Sequence, residues 1–138
     1  MNLEFETNFT VMPLHANYMS PMIFGGAFYS EIDLCAAVCV NRFLHDSTCE
    51  AAVTHKSDVT YLAPCYVGDT IYMKAKIVST GKKSIVVEVE AEREQRGSPE
   101  RDRVATGKFV FVSVEHTKNV SEKPKKLPYK EHGLKIEK

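Results

Sequence analysis

One long apolar segment limits what this chain can fold into: AFYSEIDLCAAVCVNRFL, residues 27–44, opened by Gly25-Gly26. It reads as a helix apolar on most of its circumference, and such a helix has to be covered by other parts of the structure. Everything after it is strand-like. AAVTHKSDVTYL, TIYMKAKIVST, SIVVEVEAERE and RVATGKFVFVSVE are β-branched and mostly alternating. The breaks between them, PCYVGD, TGKK and RGSPERD, hold the Gly, Pro and charge that turns favour. Ahead of the helix, Leu3 to Met12 alternates apolar and polar residues as a strand with one buried face does, until Pro13 stops it. From Leu14 to Phe24 there are two potential turn centres and no sustained period, which describes a loop too apolar to be purely solvated.

One strand, one buried helix and four strands joined by short loops is α+β order, without βαβ alternation. A strongly curved antiparallel sheet wrapped around one long central helix, the hotdog arrangement, fits that order; an unrelated α+β sandwich is the alternative the pattern leaves open. A wrapped sheet keeps edge strands, which are usually hidden by pairing with a second copy, so a homodimer is expected. The 138 residues, 43% hydrophobic, suit one domain. We set that domain at 1–116 and read 117–138, Lys-rich with two prolines, as a partly ordered tail.

Eighteen Lys+Arg balance eighteen Asp+Glu, which removes the basic field that draws a protein onto nucleic acid or an anionic membrane. The opening MNLEFETNF has neither the basic nor the apolar region of a leader, and no run approaches the ~18 apolar residues of a membrane span. The expectation is a cytoplasmic protein with no nucleic-acid partner and no membrane insertion. The four cysteines are expected to be free thiols. Cys35 and Cys39, four apart on the helix, lack a second Cys or His pair to complete a metal site and read as core.

Asp33 interrupts the apolar run Ile32 to Val38. A carboxylate there is costly unless paired, hydrogen-bonded or used in chemistry, so it is either a functional acid, or it faces a polar seam or pairs with Arg42 or a lysine elsewhere. Glu31, two positions away, points to another face of the helix and does not make a carboxylate pair with it. Gly25-Gly26 either makes a tight turn or exposes the first-turn N–H groups and the positive end of the helix dipole to a ligand. Asp33 lies seven residues beyond Gly26, about 10 Å along a helix axis. If both act on one carbonyl, they come from different subunits. The five histidines show no matched acid partner in the sequence and are read as non-catalytic.

Val11-Met12-Pro13, His15-Ala16-Asn17, Ile23-Phe24-Gly25-Gly26 and Asp33 form a pattern that continues through Val53-Thr54, Tyr61-Leu62-Ala63-Pro64, Val67-Gly68-Asp69 and Gly81-Lys82-Lys83-Ser84. It resembles the acyl-CoA thioesterase family of the hotdog superfamily over roughly residues 7–115. The resemblance implies hydrolysis of a fatty acyl-CoA to free acid and CoA, without metal or cofactor. It casts Asp33 as general base or nucleophile, Asn17 as the residue positioning water or carbonyl, and the Gly26 N–H as the oxyanion donor. Lys82, Lys83 and Ser84 fall at the family's turn near the CoA phosphates. The resemblance also implies an active homodimer, assembled further as a trimer of dimers. A hotdog protein that binds acyl-CoA without cleaving it, as a sensor or regulator, is the alternative.

Overall fold

Alternation in the sequence becomes alternation in burial. The computed structural model describes residues 3–45 and 51–114. In it β1 (Glu4–Thr10) turns Phe5, Thr7 and Phe9 inward and leaves the residues between them exposed. A short 3-10 turn (Pro13–His15) follows, then α1 (Gly25–Phe43). Four long strands complete the described chain: β2 (Ala51–Tyr61), β3 (Thr70–Thr80), β4 (Ser84–Glu94) and β5 (Arg101–Val114). They form one antiparallel sheet in the order β1-β3-β4-β5-β2, with α1 packed against it. This is the hotdog fold. The element boundaries move little from the pattern: α1 starts two residues earlier, at Gly25, and β5 starts at Arg101. The tail 117–138 and Cys49 lie outside the described residues, as does most of the polar break before β2.

The core lies between helix and sheet. Phe28, Ile32, Cys35, Ala36, Cys39 and Val40 come from α1 at spacings of three and four, and meet Ile71, Met73, Ala75, Ile77, Ile85, Val87, Phe109 and Phe111 from the strands. Burying each large side chain contributes about 1.5–3 kcal/mol. The helix departs from expectation here. Its buried side is a stripe, while Ser30, Leu34, Asn41 and Arg42 are exposed in the single chain, so one copy covers only one side. The loop before α1 departs likewise. Leu14, Tyr18 and Met19 are 81%, 91% and 77% exposed, and no described residue of the same chain covers them.

β2 is an edge strand, bonded to β5 on one side only. Its register shifts between Thr54 and Lys56, making His55 the extra residue of a bulge. Below the bulge, Ser57 and Val59 point toward the helix; above it, Ala52 is the half-buried residue and Val53 is exposed. One inserted residue therefore reverses which side chains face α1.

Candidate active site

That reversal brings Thr54 to Asp33. The Thr54 hydroxyl donates to Asp33 Oδ1 at 3.0 Å. Asp33 is half-buried and, among the described residues, makes no ion pair and no second hydrogen bond, which leaves Oδ2 available. The cation considered as its partner is occupied elsewhere: the Arg42 guanidinium lies over the Phe5 ring, 5.4 Å from its centre. A carboxylate with one oxygen fixed and the other open can accept a proton from water or attack a carbonyl. Asp33 packs beside β2, whose outer edge is unpaired.

The other end of the site is the start of α1. Phe24 occupies the cap position and supplies no side-chain hydrogen bond, so the first-turn amides are not capped by it. A cavity of about 300 Å³ opens at this end, bounded by Gly25, Met22, Phe28, Tyr61, Leu62 and Pro64. Its walls are mostly apolar, as an acyl group requires. Gly26 leaves the backbone bare; a methyl built there would stand 2.8 Å from the Phe24 ring.

Asn17 belongs to this same end. Ala16 bridges to Ile23, and the Phe24 N–H donates to the His15 carbonyl at 2.8 Å, tying the loop to the helix start. The Asn17 Oδ1 accepts from the Met19 N–H at 3.1 Å, so its carboxamide oxygen is spent on its own turn and the NH2 is the group left to donate. Asn17 thus sits on the loop tied to the helix start, opposite Met22, whose carbonyl accepts its N–H at 2.6 Å. Asp33 is not brought to this end, because it lies two turns further along the helix, beside Thr54.

Lys82 and Lys83 are exposed on the β3–β4 hairpin, which closes through Gly81 N–H to Ser84 C=O at 2.8 Å. Ser84 pairs with Val112, and Thr54 pairs with Phe111, the next residue of β5. Ser84 at the foot of the hairpin and Thr54 beside Asp33 thus stand at one end of the sheet, two strand spacings apart, roughly 10 Å.

Two buried polar groups hold the loop after β2. Arg93 is 7% exposed and grips Asp102 with two nitrogens, Nε to Oδ1 at 3.1 Å and Nη2 to Oδ2 at 2.6 Å, while Nη1 donates to the Pro64 carbonyl. The Asp102 carboxylate raises the guanidinium above its usual value, so the clamp stays charged. Asp69 accepts from the Tyr66 and Arg96 N–H groups at 2.8 and 3.3 Å. Gly68, with φ of +99°, makes the turn that a side chain would strain. The Gly68-Asp69 pair is thus a structural fastening of the cavity wall.

One expectation is corrected. His15 has an acid partner: its Nε2 lies 3.8 Å from Glu31 Oε1, while its Nδ1 accepts from the Met12 N–H at 2.9 Å. The accepting Nδ1 puts the proton of the neutral ring on Nε2, facing Glu31. The partners are sixteen positions apart in sequence, and only the fold of the intervening loop brings them together. Cys35, Cys39 and Cys65 are free and buried. Among the described residues no His, Cys, Asp or Glu cluster has metal-binding geometry, and no helix is long and apolar enough to cross a membrane.

The fold is shared with known proteins. Residues 20–100 match the family model of the thioesterase superfamily, and the chain belongs to that superfamily. It is 28% identical over 109 residues to the acyl-CoA thioester hydrolase YciA of Salmonella typhimurium, 77% of each chain. It is 27% identical over 113 residues to an acyl-CoA thioester hydrolase of Zymomonas mobilis, covering 82% of this chain and 73% of that one. Among solved structures, the hexameric thioesterase of Yersinia pestis superposes with a TM-score of 0.75 at 27% identity, over 90% of this chain and 94% of that one. The acyl-CoA hydrolase of Staphylococcus aureus, solved with butyryl-CoA, CoA and CoA disulfide, gives a TM-score of 0.75 at 25% identity, over 91% and 71%.

Proposed function

We propose that the chain is an acyl-CoA thioesterase that releases a free fatty acid and CoA, with Asp33 as general base on water or as nucleophile. The observation that carries this reading is Asp33 itself: half-buried, oriented by Thr54, without a counter-cation among the described residues, and beside the unpaired edge of β2. With Asp33 as base, water loses its proton to Oδ2 and attacks the thioester carbon. The oxyanion that forms accepts the Gly26 N–H, then collapses to break the C–S bond, and the CoA sulfur leaves with the proton. Asn17, through its NH2, donates to the same carbonyl oxygen. Lys82, Lys83 and Ser84 hold the CoA phosphates, Lys as point charges rather than Arg forks. The reaction calls on no metal or cofactor.

Because Gly26 and Asn17 lie at one end of α1 and Asp33 about two turns away, the working unit in this reading is a homodimer: one subunit supplies the donors and its partner the acid. Of the two edge strands, β1 and β2, β2 is the one beside Asp33 and serves that pairing. Further assembly into a hexamer is supported by the hexameric relative, and we read it as a trimer of dimers. Unpaired Cys35, Cys39 and Cys65 favour a reducing, cytoplasmic setting.

The test is CoA release from short, medium and long acyl-CoAs by the wild type and by Asp33→Asn. The substitution is expected to cut turnover by about 100-fold or more, the scale of lost general-base catalysis, with folding retained. A wild type that binds acyl-CoA and releases CoA from none of them is a binder, and the proposal fails.

A further inference from the structure

Tyr61 ends β2, and its hydroxyl donates to the Gly25 carbonyl oxygen at 2.8 Å. That carbonyl and the Gly26 N–H are two ends of one planar peptide unit. We infer that Tyr61 is a positioning residue for the reaction, its hydroxyl fixing and polarising the Gly25–Gly26 peptide whose N–H meets the oxyanion. The inference rests on the reading of Gly26 as that donor and adds what holds it.

The peptide needs such a tether. It joins two glycines, the residues with the most backbone freedom. A methyl built on Gly25 would touch nothing within 4 Å, and the Phe24 cap contributes no side-chain bond. Tyr61, in contrast, is anchored. Its backbone pairs with Ala105 in the β2–β5 ladder, the Leu62 N–H donates to the Val104 carbonyl at 2.8 Å, and its ring leans on Phe28, with 5.6 Å between centres. A helix carbonyl keeps a second lone pair beyond its intrahelical bond, which the phenol can use. A bond accepted at the oxygen withdraws electron density from the nitrogen, and each link in such a chain strengthens the next by roughly 10–30%. Tyr61 is 46% exposed; partial desolvation, with Tyr29 nearby, raises the phenol above its usual value, so it remains a donor through the neutral range. A donor held before the reaction spends nothing on reorganisation as charge develops, which is how oxyanion sites act.

Tyr61→Phe removes the hydroxyl and keeps the ring against Phe28. Expected is a fall in kcat of about tenfold, smaller than the ~100–1000-fold typical of deleting an oxyanion donor itself, with KM and thermal stability little changed. The factor is the same for butyryl-CoA and for long acyl-CoAs, because the oxyanion is common to all; a residue that merely lined the cavity would act unequally across chain lengths and through KM. Gly26→Pro deletes the N–H in the first turn of the helix, where proline is best accommodated, and its added carbons meet only the Phe24 ring, which is exposed and can turn aside. In that background Tyr61→Phe is expected to add no further loss. Full kcat in Tyr61→Phe, a loss that varies with acyl length, or losses that multiply in the double variant would overturn the inference while leaving the thioesterase reading intact. A wild type that releases no CoA overturns both.

Discussion

Cys35, Cys39 and Cys65 are buried, and burial is the main cause that pushes their thiols up from 9.0 to about 12, 11 and 11. A neutral thiol in a packed core is a poor nucleophile. Iodoacetamide at pH 8 is therefore expected to leave these three unmodified in the native protein and to alkylate all of them in denaturant, as read by peptide mass spectrometry. The sign of the pH effect follows. Below pH 9 the thiols are neutral folded or unfolded; above it the unfolded chain ionises while the core holds its protons. Folding stability thus declines from about pH 9 through the folded values near 11–12. At this scale the sequence exposes a residue when its chemistry conflicts with its neighbours. Asp33 is legible because a charge in an apolar helix demands a reason. Thr54 is not, because alternation back from Ser57 and Val59 puts His55 and Val53 on the helix side, and only the bulge returns Thr54 to it. The Tyr61 bond to Gly25 spans thirty-six positions and leaves no local trace.

Among the elements, β5 is shaped by one residue that a strand pattern does not favour. Gly107 lies mid-strand between Val89 and Val59, where α1 passes over the sheet. A methyl added there would come within 2.8 Å of the Phe109 ring and 3.3 Å of Ile32. Both are fully buried, so neither can swing aside into solvent. Gly107→Ala is expected to destabilise the fold by about 1–3 kcal/mol through overpacking, measured by urea denaturation at fixed protein concentration, although alanine is a better strand residue than glycine in isolation. The strands themselves were readable, since β3 and β4 carry near-unbroken alternation and have the bounds that alternation gives. The helix was readable as a helix but not in its exposure. An apolar circumference predicts cover on all sides, and a single subunit supplies a stripe; Leu34, 58% exposed, marks the side left open.

For the whole molecule, the separation along α1 makes a prediction that a self-contained subunit does not. In the proposed dimer each of two sites takes Gly26 and Asn17 from one chain and Asp33 from the other. Asp33→Asn and Gly26→Pro each disable both sites of a homodimer. A mixed dimer behaves differently: the Asp33→Asn chain still brings an intact helix start, the Gly26→Pro chain still brings its acid, and one of the two sites is whole. Random pairing of equal amounts makes half the dimers mixed, so co-expression of the two variants is expected to restore about a quarter of wild-type turnover, by the arithmetic of a two-fold assembly. Tagging the two chains differently and purifying on both tags isolates the species that holds both variants, where recovery rises to about half for a free dimer and stays near a quarter for a trimer of dimers, which still contains unmixed pairs. CoA release from that species is the measurement. Activity no greater than that of either variant alone would mean that each chain builds its site from its own residues, which requires α1 to bend or β2 to shift far from the geometry that joins Thr54 to Asp33 and Tyr61 to Gly25.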